Sequence, residues 1–124
     1  MPRLLVIDDE PRVGEALRFA LARHGFSVTQ ETTGEAGVGR ARDEPPDCIL
    51  LDVTLGSEDG LARCRSLKAD PITAAIPIIL LSGRADPGAV ARGLAAGADD
   101  YVSKPFTAAE LRARIERQLR ERER

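Results

Sequence analysis

The chain alternates short apolar runs with helix-patterned segments from end to end, and that alternation leaves few folds open. Residues 4–7, 48–51 and 76–81 form continuous, partly β-branched apolar runs. Strands buried on both faces of a parallel sheet read this way. Ser27–Glu31 alternates about Val28 and reads as a weaker strand nearer an edge, and Tyr101-Val102 is a short fifth strand.

Helices fill the intervals. The first is expected over 11–24, with Pro11 in its first turn, an apolar stripe of Val13, Leu17, Ala20 and Leu21, and Gly25 as its stop. The second, over 33–43, carries Gly34, Gly37 and Gly39. Its own propensity is poor, so packing must hold it. Pro45-Pro46 closes it. A third follows Gly60 and ends before Pro71. A fourth, over 87–96, is rich in Ala and Gly. The fifth starts at Thr107, where Thr107-x-x-Glu110 has the capping-box pattern, and Leu111, Ile115 and Leu119 follow at every fourth position. Five strands and five helices in strict alternation predict an α/β, three-layer (βα)5 fold with a parallel sheet. With no repeat and no internal linker, residues 1–124 read as one domain. Residues 120–124 alternate Arg and Glu. The i,i+4 pairs Glu116–Arg120 and Arg117–Glu121 suit a charged helical extension, the start of a linker.

Composition narrows the function classes. A net charge of −2 supplies no basic field for nucleic acid, and three Phe, one Tyr and no Trp offer no base-stacking platform. No apolar run approaches the roughly 20 residues that span a bilayer. Met1-Pro2-Arg3 shows no signal-peptide pattern, so a cytoplasmic protein is expected, without direct contact to nucleic acid or membrane. Cys48 in a strand and Cys64 in a helix read as reduced, packed thiols. His24, in the last turn of the first helix, reads as a surface residue.

Charged residues stand at the ends of the apolar runs. Asp8 and Asp9 follow the first, Asp52 the third, and Lys104 the fifth. In a parallel α/β sheet those ends open on one edge. Capping of the first helix accounts for one or two of the acids but not for Asp52 on another strand. Crowded carboxylates need a cation, and Asp8 or Asp9 with Asp52 fits the oxygen-ligand habit of Mg²⁺. An ionised Asp52 can act as a nucleophile toward a phosphoryl group. Ser82 ends the fourth run with a hydroxyl able to donate to a phosphoryl oxygen, and Gly83 permits close backbone approach. Lys104 is one of only two lysines against sixteen arginines. It is a compact countercharge, followed by Pro105, whose X-Pro bond is open to the cis form.

Four segments then resemble a known family: LLVIDDE, DCILLDVTLGSEDGL, IPIILLSGRAD and GADDYVSKPFTAAEL. In this order and spacing they resemble the receiver domain of bacterial response regulators in two-component (phosphorelay) signalling, over residues 3–120. The resemblance implies a flavodoxin-like fold with strand order 2-1-3-4-5. It implies Asp52 as phosphoacceptor, taking a phosphoryl group from a sensor histidine kinase or phosphotransfer protein. Mg²⁺, or Mn²⁺ in its place, would be held by Asp9 and Asp52, by Asp8 through water, and by the backbone carbonyl of Thr54. Lys104 and Ser82 would hold the phosphoryl oxygens, with Gly83 and Arg84 beside them. Tyr101 would be the switch aromatic, moving inward with Ser82. The face of the fourth helix, fifth strand and fifth helix (α4-β5-α5) would change its partner preference. Such a domain is a phosphoprotein switch, catalysing only its own phosphorylation and dephosphorylation.

The sequence departs from the family at Gly56, where a Pro is usual four residues after the phosphoacceptor. A looser loop is expected there. Arg84 is expected to fold over the phosphoryl group and slow water attack. A receiver-like docking module that works without phosphorylation is the alternative, but such domains usually lose an acid or the Lys. A flavodoxin-type redox protein would want a Gly- or hydroxyl-rich phosphate loop where Asp8-Asp9-Glu10-Pro11 stands. A phosphatase would want a cap insertion for its substrate. The output stays open between contacts to a downstream effector protein and a C-terminal output domain, as does a homodimer through the α4-β5-α5 face.

Overall fold

The computed structural model describes residues 1–123. Five parallel strands form the main sheet: β1 (Arg3–Ile7), β2 (Ser27–Glu31), β3 (Cys48–Asp52), β4 (Ile78–Ser82) and β5 (Asp100–Ser103). Their order is β2-β1-β3-β4-β5, the flavodoxin-like order, with its topological switch point between β1 and β3. The helices are α1 (Pro11–Ala22), α2 (Gly34–Asp43), α3 (Gly60–Ala69), α4 (Pro87–Ala95) and α5 (Ala108–Arg122).

Alternation along each strand divides the core in two. Leu4, Val6, Leu50, Ile79, Leu81 and Val102 face Leu17 and Leu21 of α1 and Leu111 and Ile115 of α5. Leu5, Ile7, Ile49, Leu51, Ile78 and Leu80 face Ala41 of α2, Cys64 and Leu67 of α3, and Ala96 after α4. This is the three-layer arrangement, and it aligns the C-terminal ends of β1, β3, β4 and β5 along one edge. The glycines of α2 have a packing reason: a Cβ on Gly37 would lie 2.6 Å from Ile7 Cδ1.

Several boundaries differ from the sequence expectation. α1 ends at Ala22, because His24 and Gly25 turn back onto Leu21 and Ala22 and the Phe26 N–H returns to the Leu21 carbonyl. That is a Schellman-type stop, with Gly25 at φ +87°. β4 begins at Ile78, not Ile76. Ile76 is buried, but its N–H closes a turn onto Thr73, and Pro77 has no N–H to give a ladder. Thr33 and Thr107 are caps, not first helical residues, and Ala96 caps α4. Glu116 pairs with Arg112 and not with Arg120 among the described residues, whereas Arg117–Glu121 forms as expected. Arg124 lies outside the described residues.

The segment after β3 is also more ordered than expected. Thr54–Leu55 and Glu58–Asp59 pair as a small antiparallel hairpin. Gly56 takes φ +59° at the first central position and Ser57 is not positive, the pattern of a type II′ turn, which needs Gly there. Leu55 is buried beneath it.

Candidate acidic phosphoacceptor site

The sheet's C-terminal edge gathers one cluster. Asp8, Asp9 and Asp52 each offer a carboxylate oxygen, all within 4.8 Å of one another. Asp8 and Asp52 are buried, at 1% and 6% exposure, and Asp9 is exposed. Lys104 reaches them from the end of β5, its Nζ 2.9 Å from Asp52 Oδ2 and 3.4 Å from Asp8 Oδ2. The Lys104–Pro105 peptide bond is cis.

Backbone donors fix the carboxylates. Asp8 Oδ1 accepts the Glu10 N–H at 2.9 Å, and Asp52 Oδ1 accepts the Thr54 N–H at 2.8 Å. Three carboxylates against one ammonium leave two charges uncompensated. The stress appears on Asp8, whose acidity is weakened by burial and by the charge of Asp52, against the opposing pull of the Glu10 N–H and Lys104. Burial works against the charge on Lys104, but the hydrogen bond and charge of Asp52, then Asp8, outweigh it and hold its pKa above the ordinary value. Hard oxygen donors and two uncompensated charges fit a hard divalent cation such as Mg²⁺.

The model of the response regulator receiver domain matches residues 4–116. The chain belongs to the response regulator receiver family. It is 44% identical over 117 residues to the transcriptional regulatory protein CseB of Streptomyces coelicolor, covering 94% of this chain and 49% of that protein. It is 39% identical over 120 residues to the phosphate regulon transcriptional regulatory protein PhoB of Rhizobium meliloti, covering 97% and 53%. The solved receiver domain of a signal transduction histidine kinase from Syntrophus aciditrophicus superposes with a TM-score of 0.88 at 34% identity, covering 98% of this chain and 92% of that one. This receiver therefore spans about half the length of the curated relatives it matches. It is a signalling domain, not a metabolic enzyme, and no described helix is long and apolar enough to cross a membrane.

The remaining predicted positions have different surroundings. Ser82 is buried at the end of β4, its Oγ accepting the Arg84 N–H at 3.1 Å, which leaves its own proton free to donate. Tyr101 is half-buried, and its hydroxyl donates to the Arg84 carbonyl at 2.8 Å. Gly83 is exposed, with open space where a Cβ would stand. The Arg84 side chain turns to a neighbour on its own loop. It pairs with Asp86 at 3.0 Å, because Asp86 caps α4 and sits two residues away on the same turn. Thr54 is exposed in the hairpin. His24 is exposed as expected, against Arg112.

Two residues were missed. Glu58 ties the hairpin to the helices behind it, accepting from the Gly34 N–H at 3.1 Å and from Arg63 at 2.8 Å. Those two donors hold its pKa below the usual carboxylate value. Nothing in its sequence neighbourhood distinguishes it from a solvated loop acid. Gln30 is the other; its only sequence signal is indirect, a glycine inside α1.

Proposed function

We propose that this receiver is a phosphoacceptor switch, in which Asp52 takes a phosphoryl group from a phosphohistidine on a sensor histidine kinase or phosphotransfer protein. One observation carries the reading: a buried carboxylate at the switch point is flanked by two further acids and a lysine, with one oxygen on Lys104 and the other on a backbone N–H. In the transfer, the P–N bond breaks, its electron pair stays on the imidazole, and an Asp52 oxygen forms the new P–O bond. Asp9, Asp52, the Thr54 carbonyl and, through water, Asp8 would hold Mg²⁺, or Mn²⁺ with the same ligand habit, which would supply charge neutralisation at the phosphoryl oxygens. Lys104 moves its interaction from carboxylate to phosphoryl oxygen, and the free proton of Ser82 donates to another. Phosphorylation adds about two negative charges and three strong acceptors at this point.

Drawing Ser82 toward the phosphoryl group competes with its bond to the Arg84 N–H. Arg84 also holds Tyr101 through its carbonyl, so the turn after β4 couples the site to the ring. The face of α4, β5 and α5 carries the outcome, to a downstream effector or an output domain attached beyond α5, or to a second copy through that face. The relatives named as transcriptional regulators support an attached output domain. A cytoplasmic location follows from that role.

Intact-mass measurement after incubation with Mg²⁺ and acetyl phosphate tests the chemistry. One phosphoryl adduct in the wild type and none in Asp52→Asn is the expected result. No adduct under conditions that label another receiver overturns it in favour of a docking module that works without phosphorylation.

A further inference from the structure

The backbone carbonyls of the acidic turn after β1 are held from the β2 side by one carboxamide, that of Gln30. Gln30 lies on edge strand β2, on the face that carries Val28 toward α1. Its Nε2 donates to the Asp8 carbonyl at 2.8 Å and to the Glu10 carbonyl at 2.9 Å. Its Oε1 accepts the Gly14 N–H at 3.0 Å. One carboxamide thus spans the residue before Asp9, the residue after it, and the first turn of α1. Only one orientation of the amide satisfies two carbonyls and one N–H.

Gly14 matches it. An interior helical glycine costs about 1 kcal/mol relative to Ala, and the geometry supplies the reason for it: a Cβ there would stand 2.0 Å from Gln30 Oε1. The pair leaves the carboxamide room to bond three backbone groups. Asp9 itself is exposed, and no described side chain donates to it. From the β2 side, the backbone on either side of Asp9 is fixed by the Gln30 bonds to the Asp8 and Glu10 carbonyls and by the Asp8 N–H, which donates to the Glu31 carbonyl at 3.1 Å.

We infer that Gln30 is a positioning residue for the cation site, setting the placement of Asp8 and Asp9, with Gly14 as its permissive partner. This rests on the phosphoacceptor reading. Residues behind metal ligands commonly set affinity by a factor on the order of ten or more.

The test uses Mg²⁺ alone and needs no phosphodonor. Calorimetric titration of Gln30→Ala should show Mg²⁺ affinity weakened on the order of tenfold. Amide hydrogen exchange should show Gly14 losing protection in the metal-free chain. Gly14→Ala is the second variant. Its methyl displaces the carboxamide from its three bonds while keeping residue 30 as Gln, so Mg²⁺ affinity should fall as it does in Gln30→Ala. Combined, the two substitutions should weaken Mg²⁺ no more than either does alone. Unchanged Mg²⁺ affinity in Gly14→Ala and Gln30→Ala, with Gly14 exchange accelerated, overturns the positioning role. Absence of Mg²⁺ binding in the wild type instead overturns the phosphoacceptor reading, and this one with it.

Discussion

Tyr101 gives its hydroxyl proton to the carbonyl of Arg84 across 2.8 Å, at the residue whose N–H is bound by Ser82. The two ends of Arg84 therefore answer to two side chains on neighbouring strands. Tyr101→Phe keeps the ring packing and removes one bond. The expected loss is about 1 kcal/mol in thermal or urea unfolding. Labelling of Asp52 should be unaffected, while any phosphorylation-dependent change at the α4-β5-α5 face should shrink. A phenylalanine variant that keeps the full response would rule out the hydroxyl as part of the coupling.

The same ring can be pushed from behind. A Cβ on Gly93 of α4 would lie 2.9 Å from Tyr101 Cδ2 and 2.8 Å from Leu80 Cδ1. Gly93→Ala should drive the ring outward and break the Arg84 bond. With one Tyr and no Trp in the chain, intrinsic fluorescence reports this ring alone. The variant should show altered emission before any phosphodonor is added, and a smaller further change after it.

Much of this was legible in the sequence for a definite reason. Asp8, Asp52 and Lys104 each close or follow an apolar run, and parallel alternation sends all such ends to one edge, so their convergence followed from topology alone. The hairpin did not show, because 54–59 has neither alternation nor length; its order comes from the backbone of Gly56 and the anchoring of Glu58. The pairing of Arg84 with Asp86 two residues on is a rotamer choice that strand patterns do not encode. Gln30 was hidden because a polar residue on an edge strand reads as solvated, and a lone glycine inside α1 does not name its partner.

Removing the countercharge should be felt most at neutral pH. Lys104→Met leaves Asp8 and Asp52 facing each other without an ammonium. Breaking a fully buried pair costs about 3–5 kcal/mol; Lys104 keeps a third of its side chain in water, so about 2 kcal/mol is expected in metal-free chain. Because the pKa of Lys104 is raised on folding, its contribution is full below the ordinary lysine value and is lost as pH rises through the folded value. The difference between wild type and variant should therefore narrow on the alkaline side. It should narrow again in acid, as the carboxylates protonate. A gap independent of pH would show that the loss is packing and not charge.

Asp8 should behave in the opposite sense. Its folded pKa is raised, first by burial and then by Asp52, so folding favours the protonated form. Between the ordinary carboxylate value and the folded one, the unfolded chain has released its proton while the folded chain retains it, and stability falls as pH rises. Above the folded value the deficit is constant. Asp8→Asn removes that penalty and one charge from the cluster. Without metal, its melting temperature should exceed that of the wild type at neutral pH, and the advantage should disappear in acid below the ordinary carboxylate value. Adding Mg²⁺ should reverse the order, since the cation stabilises the wild-type acids and the variant lacks the carboxylate of Asp8. Melting curves at two pH values, with Mg²⁺ and with a chelator, check both signs. A variant less stable than wild type in chelator at neutral pH would mean that the Glu10 N–H and Lys104 bonds to Asp8 outweigh its burial and the repulsion from Asp52.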